Sequence, residues 1–310
     1  MNIFIFGASG YIGSHLTRQL VSEGHSVTAF ARSEGAARKA EALGARALLG
    51  DLDFLPPLLD PISRHDAVIW AAQLMLDKEQ YVVRELLSLL RGTNKTFVFT
   101  GGTSLLSQRT DGDWLEDSYG ENDPFVPRRH IAPRLEIENM VRAAATEGIR
   151  AMVVRPPLVW GHGGSRVIAD LYHSARVTGA ICYIGRGLNV YSSVHVDDLA
   201  RLYSLVLTKG VPGALYHAVS GELSYRCIAE AIARHLGVPT RSVTVAEGIE
   251  IWDKFTAGIV LCSCSRTRSP RARAELGWMP SEENLNIVED CVHPAYAAMQ
   301  ERPLPAWVRG

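Results

Sequence analysis

The chain has 310 residues, with 32 Lys and Arg against 33 Asp and Glu, a formal net charge of −1. Hydrophobic residues make up 47% and charged residues 21%, a globular balance that supports a sizeable core and excludes a disordered or fibrous chain. Without a basic excess, neither nucleic acid nor a charged membrane surface is the expected partner, which leaves a small-molecule substrate.

No apolar run approaches the roughly 20 residues that cross a bilayer. Met1-Asn2 carries no basic segment and Ile3 to Phe6 runs straight into a glycine turn, so the start does not read as a signal peptide. Cys182, Cys227, Cys262, Cys264 and Cys291 are odd in number and scattered, which suits free thiols in a reducing compartment and a cytoplasmic location. Cys262-Ser263-Cys264 has no matching His or Cys pair nearby, so no metal is assigned to it.

In chain order, six short apolar runs mark the first half: Asn2–Phe6, Ser26–Phe30, Ala45–Leu49, Ala67–Trp70, Thr96–Thr100 and Arg150–Val154. Each has the length of a parallel strand buried on both faces. Between them Ile12, Leu16 and Leu20, and later Val82, Leu86 and Leu90, recur at spacing four, the mark of amphipathic helices. This alternation predicts right-handed βαβ units and an α/β fold with a doubly wound parallel sheet.

After Pro156-Pro157 and the loop Gly161-His162-Gly163-Gly164 the regularity breaks. Val194 to Leu207 reads as a short strand entering a helix, with Asp197 and Asp198 as its N-cap and first-turn carboxylate and His195 as a loop histidine. The stretch from Gly221 to Gly310 reads as helical, with turns at Gly237, Gly277 and Pro280. Residues 1–158 with about 190–220 are expected to form the nucleotide domain, and about 159–189 with 221–310 a smaller, mainly helical lobe. Arg266, Arg268, Arg271 and Arg273 read as a solvated helix start.

Gly7-Ala8-Ser9-Gly10-Tyr11-Ile12-Gly13 follows the first strand and opens the first helix. Glycines there permit a tight turn, backbone approach to a pyrophosphate and close helix–strand packing. The phosphates then lie on the helix N-terminus, where free N–H groups favour negative charge. The second strand ends in Ala31-Arg32-Ser33, without the carboxylate that holds a ribose 2′-hydroxyl. Arg32 suits a 2′-phosphate, so NADP(H) is favoured over NAD(H), with Glu34 keeping NAD open.

These residues and five further segments resemble the extended and atypical short-chain dehydrogenase/reductases, the NAD(P)-dependent epimerase/dehydratase-like group. Gly50-Asp51-Leu52 is similar to its segment meeting the adenine, and Ala71-Ala72 to the stretch facing the middle of the cofactor. Arg155-Pro156-Pro157-Leu158-Val159-Trp160-Gly161, Val194-His195-Val196-Asp197-Asp198-Leu199-Ala200 and Glu275-Leu276-Gly277-Trp278-Met279-Pro280 resemble later signatures in the family's order. The resemblance implies a Rossmann domain with a substrate lobe, and leaves a homodimer open. It also implies cofactor contacts from Gly7, Ser9, Gly10, Tyr11, Ile12, Gly13, Arg32, Asp51, Leu52, Ala71 and Ala72.

The family's catalytic Tyr-x-x-x-Lys pair is replaced. Glu138, four positions after the lysine, sets the register and puts His130 in the tyrosine position and Arg134 in the lysine position. Gly102 falls where a serine is usual, with Thr103 and Ser104 the nearest hydroxyls. Arg134 can still donate to ribose hydroxyls but cannot release its proton. His130 can act near neutrality, and a cation one turn away favours its neutral, basic form. Pro133 fits only early in a helix, which would start the helix later and leave His130 in a loop. Tyr81, Tyr119, Tyr191 and Trp160 are further pocket candidates, each read mainly as packing.

Two readings stay open. One is an NADP(H)-dependent oxidoreductase reducing a carbonyl or C=C of a small organic molecule, with His130, Arg134 and Thr103 as its catalytic set. The other is a cofactor-binding protein without redox chemistry, either an isomerase, cyclase or dehydratase or an NADP-sensing regulator. A sugar-nucleotide epimerase fits less well. The tyrosine is missing, and Arg166, Arg176 and Arg186 read as exposed rather than as a diphosphate cluster.

Overall fold

A computed structural model describes residues 1–299. The first half is β1 (Asn2–Phe6), α1 (Tyr11–Ser22), β2 (Ser26–Ala31), α2 (Glu34–Glu41), β3 (Arg46–Leu49), α3 (Pro56–Ser63), β4 (Ala67–Trp70), α4 (Leu76–Leu90) and β5 (Thr96–Thr100). Two-residue strands β6 (Gln108–Arg109) and β7 (Ser118–Tyr119) precede α5 (Ala132–Ala143) and β8 (Arg150–Arg155). Then come β9 (Leu158–Trp160), α6 (Arg166–Thr178), β10 (Ile181–Ile184), β11 (Val190–His195), α7 (Val196–Lys209) and β12 (Leu215–His217). The chain continues through β13 (Gly221–Ser224), α8 (Tyr225–Leu236), β14 (Thr240–Val243), α9 (Val245–Ile251), β15 (Ser263–Cys264), β16 (Arg266–Thr267), α10 (Pro270–Leu276), α11 (Ile287–Asp290) and α12 (Ala295–Met299).

Seven parallel strands form the central sheet in the order β12-β8-β5-β4-β1-β2-β3. Side chains alternate across it: Ile3 and Ile5 join the core under α1 and α7, while Phe4 and Phe6 join the core under α4 and α5. In the inner strands both faces are covered, so β1, β4 and β5 are mainly apolar and lack a polar alternation, whereas the edge strand β3 has Arg46 and Leu49 exposed. Strand order reverses between β1 and β4, paired from Ile3↔Ala67 to Phe6↔Trp70, and this opens a crevice at their carboxyl ends.

The smaller lobe has its own core, including Leu158, Trp160, Leu171, Ile228 and Tyr296. It is less helical than its sequence suggests. β13 pairs antiparallel with β11, which pairs parallel with β9, and β14 pairs parallel with β10. Neither β13 nor β14 contributes more than one apolar residue to a face, so backbone pairing rather than patterning makes them strands. Gly237 and Gly277 end α8 and α10 in left-handed backbone, at φ 67° and 66°.

Two local readings are corrected. The N-cap of α7 is His195, whose Nδ1 accepts from Asp197 N at 3.3 Å, so Asp197 and Asp198 both stand in the first turn. The arginine series is a helix start only in its second half, Arg271 and Arg273: Arg266 pairs with Glu222 at 2.8 Å and lies 4.4 Å over the Trp114 ring, and Arg268 pairs with Asp123 at 2.5 Å, both before α10 begins.

At the end of β12, buried His217 donates from Nδ1 to Arg268 O at 2.9 Å, while its Nε2 has no partner. Burial, then repulsion from Arg155, pushes its pKa down to about 3. The ring stays neutral in the folded chain while the unfolded chain takes up a proton below its ordinary value of ~6.5. This part of the stability is complete above that value and is lost toward lower pH at about 1.4 kcal/mol per unit. Urea unfolding is expected to show a loss of about 2 kcal/mol between pH 6.5 and 5 that His217→Asn removes.

Candidate cofactor and substrate site

At the end of β1 the backbone turns through Gly7, at φ +84°. A Cβ on Gly7 would stand 2.4 Å from Ala71 O, and one on Gly13 would stand 2.0 Å from Gly7 O, so both positions exclude a side chain. Gly10 N donates to Gly7 O at 2.9 Å, closing the turn. Gly10 then caps α1 without a side-chain bond, and the first turn of α1 carries no acid. Its exposed N–H groups and positive end face the crevice, a cradle that fits a pyrophosphate. Ser9 is half-buried on the turn, and Tyr11 and Ile12 line the space beyond it.

Arg32, one residue past β2, is exposed and holds no ion pair among the described residues. Ser33 caps α2 by accepting from Ala36 N at 3.3 Å, and Glu34 opens that helix. After β3, Asp51 accepts from Asp53 N at 2.9 Å and shapes the loop, while Leu52 is buried in the core.

A cavity of about 200 Å³ lies beyond the turn, lined by Ala71, Ala72, Gln73, Gly102, Ser104 and Arg134 among others. Arg134, in the first turn of α5, places Nη1 3.1 Å from Glu79 Oε2, and Trp70 Nε1 donates to Glu79 Oε1 at 3.0 Å. Burial pushes the Glu79 carboxyl up, against those two donors. Glu138 lies deeper, paired with Arg155 at 2.6 Å, with Oε1 lacking a partner. A Cβ on Gly101 would strike that oxygen at 2.1 Å, which accounts for the glycine there.

His130 does not reach this space. α5 begins at Ala132 with Pro133 in its first turn, so His130 stands in the preceding turn, exposed and outside the lining of either cavity. Spacing of four shares a face only within one helix, and here the helix starts between the two residues. Partial burial and Arg128 push the His130 pKa down, which matches the expected neutral form without the expected position. Thr103 is likewise displaced. Its hydroxyl is buried without a partner and Ser104 lines the cavity in its place.

A larger cavity of about 560 Å³ runs from Gly10–Gly13 to the smaller lobe. Its cover is the loop after β9. Tyr11 Oη donates to Gly161 O at 2.7 Å, and the Tyr11 ring fills the space a Cβ on Gly164 would need. Asp290 accepts from Gly161 N and Gly163 N at 3.1 and 3.0 Å. His162 takes left-handed backbone, φ 52°, and its Nε2 and His15 Nδ1 each lie 2.7 Å from an oxygen of Asp197. Burial opposes ionisation of Asp197, and the two histidines overcome it and hold its pKa below the usual range.

Of the extra pocket candidates, Tyr191 lines the larger cavity and the others line neither of the two. Tyr81 is exposed, Trp160 is in the lobe core and Tyr119 accepts from Gln108 at 2.7 Å. Tyr225, absent from the candidates drawn from sequence, is 1% exposed, lines the larger cavity and has a hydroxyl without a partner. It follows the Ser224 cap at the start of α8, and no feature of the sequence gives the direction of its ring.

A model of the NAD dependent epimerase/dehydratase family matches residues 3–218. An uncharacterized protein of Schizosaccharomyces pombe is 32% identical over 306 residues, covering 96% of this chain and 100% of that one. A ketoreductase of Stigmatella aurantiaca acting on 4-hydroxy-2-methyl-3-oxo-4-farnesyl-3,4-dihydroquinoline-1-oxide is 28% identical over 233 residues, covering 71% and 69%. Among solved structures, the dTDP-glucose 4,6-dehydratase of Bacillus anthracis in complex with NAD is similar with a TM-score of 0.74, at 17% identity and 97% of both chains.

The steric argument at the turn has a direct check. Gly13→Ala is expected to destabilise the chain by about 1–3 kcal/mol in urea unfolding, because its methyl group meets backbone that cannot yield.

Proposed function

The chain belongs to the NAD dependent epimerase/dehydratase family, and from that membership we propose that it is an NADP(H)-dependent oxidoreductase acting on a carbonyl or C=C of a small organic molecule. The observation that carries this reading is the acid-free, uncapped N-terminus of α1, set behind a turn with no room for side chains and opening onto two adjoining cavities. Gly7, Ser9, Gly10 and Gly13 would hold the pyrophosphate, Ala71 and Ala72 would flank the middle of the dinucleotide, and Arg134 would donate to the ribose beside the nicotinamide. Bound there, the reduced nicotinamide supplies a hydride to an electrophilic carbon. Arg134 stays charged throughout, held by Glu79, and so orients without relaying a proton. The ketoreductase relative supports a reductive direction.

NADP(H) over NAD(H) rests on Arg32, free at the end of β2, with the Ser33 hydroxyl beside it. In a fluorescence titration Arg32→Ala is expected to weaken NADPH binding by about ten-fold and leave NADH binding unchanged, as loss of one charge-assisted contact to the 2′-phosphate would. Binding of neither cofactor overturns the oxidoreductase reading. Tight NADPH binding with no turnover across a ketone panel favours a cofactor-holding protein without redox chemistry.

The position of His130 yields a second expectation. His130→Ala is expected to keep turnover within about two-fold of the parent at pH 7, whereas removal of a general acid or base costs 10²–10⁴-fold. A loss of that larger size would return His130 to the reacting atoms.

A further inference from the structure

Resting on that reading, we propose that the larger cavity selects an uncharged, mainly apolar carbonyl compound, takes one of its oxygens on the Tyr225 hydroxyl, and rejects nucleoside-diphosphate sugars. The cavity wall toward the smaller lobe is apolar, built from Pro157, Leu158, Val159, Val167 and Val260. Arg166 and Asp170 are the two charged residues in its lining, and they neutralise each other at 2.7 Å. Arg176 and Arg186, the other arginines that a diphosphate could use, lie outside the lining. Beyond the Gly10–Gly13 end, which the dinucleotide would take, a diphosphate would meet a paired guanidinium and a buried carboxylate, and nothing there would repay the loss of its hydration.

The polar end of the cavity points the other way. Tyr225 is 1% exposed and its hydroxyl has no partner, while the Tyr191 and Tyr225 rings lie 6.4 Å apart on the same cavity. A buried O–H left unpaired is unfavourable, and a ligand oxygen that accepts from it removes that penalty on binding. Burial lifts the Tyr225 pKa above the ordinary value, so its hydroxyl keeps its proton and is a donor at neutral pH. Donors facing an apolar wall recognise a ketone or aldehyde whose remainder is hydrocarbon.

Isothermal calorimetry on the purified full chain, with and without NADPH, tests this with benzylacetone and UDP-glucose as probes. Benzylacetone is expected to bind and UDP-glucose to show no binding. Tyr225→Phe, which removes one oxygen and keeps the ring, is expected to weaken benzylacetone binding by about ten-fold with NADPH affinity unchanged and the melting temperature not lowered. Asp170→Asn, leaving Arg166 without its partner, is expected to admit UDP-glucose; a cavity still closed to it rejects by shape and overturns the charge argument. No binding of benzylacetone, binding of UDP-glucose as tight as that of the ketone, or an unaltered Tyr225→Phe overturns the proposal. If NADPH fails to bind while benzylacetone binds in a Tyr225-dependent way, the oxidoreductase reading falls and the cavity assignment stands.

Discussion

The contact on which the rest depends is backbone against backbone: Gly7 against the carbonyl of Ala71, and Gly13 against the carbonyl of Gly7. With no side-chain carbon between them, α1 sits as close to the sheet as a helix can. Its N-terminus is then aimed over the crevice where strand order reverses, and Ala71 to Gln73 become the floor shared by both cavities. A single methyl group at either glycine would lift the helix and blunt the one concentrated positive potential the crevice has.

Charge is handled differently farther in. Two carboxylates, Glu79 and Glu138, are buried, each facing an arginine from another element. Such pairs repay little of their desolvation as net stability, but separating either is costly, so they act as fixed joints. Glu138–Arg155 ties α5 to the end of β8, and Glu79–Arg134 ties α4 to the start of α5. The first turn of α5 is therefore held at the cavity, while the segment just before it, with His130, is tied elsewhere, through Arg128 to Ser263 at 2.5 Å.

The central sheet was legible because its strands are buried on both faces, and continuous apolar runs mark them almost residue for residue, from Asn2–Phe6 to Thr96–Thr100. The glycine turn was legible because the steric demand behind it is local. β13 and β14 were not, since their pairing is made by backbone groups that carry no side-chain signature. His130 was legible in part: counting four residues back from Arg134 put it in the tyrosine position, while Pro133 already pointed to a later helix start with His130 in a loop, and the helix does begin at Ala132. Tyr225 shows the limit most plainly. A tyrosine opening an amphipathic helix looks like core, and only the three-dimensional arrangement reveals that it lines a cavity with its hydroxyl left without a partner.

Tyr11 belongs to two structures at once. It is the first residue of the helix whose N-terminus faces the crevice, and its ring and hydroxyl support the loop from Gly161 to Gly164, which joins the lining of the larger cavity at Gly164. One turn on, His15 reaches the same loop through Asp197 and His162. Whatever free energy one ligand expends in setting this shared helix and loop is no longer required of the other. Reciprocity then fixes the relation between the two sites: the factor by which a dinucleotide tightens the hold on substrate equals the factor by which substrate tightens the hold on the dinucleotide.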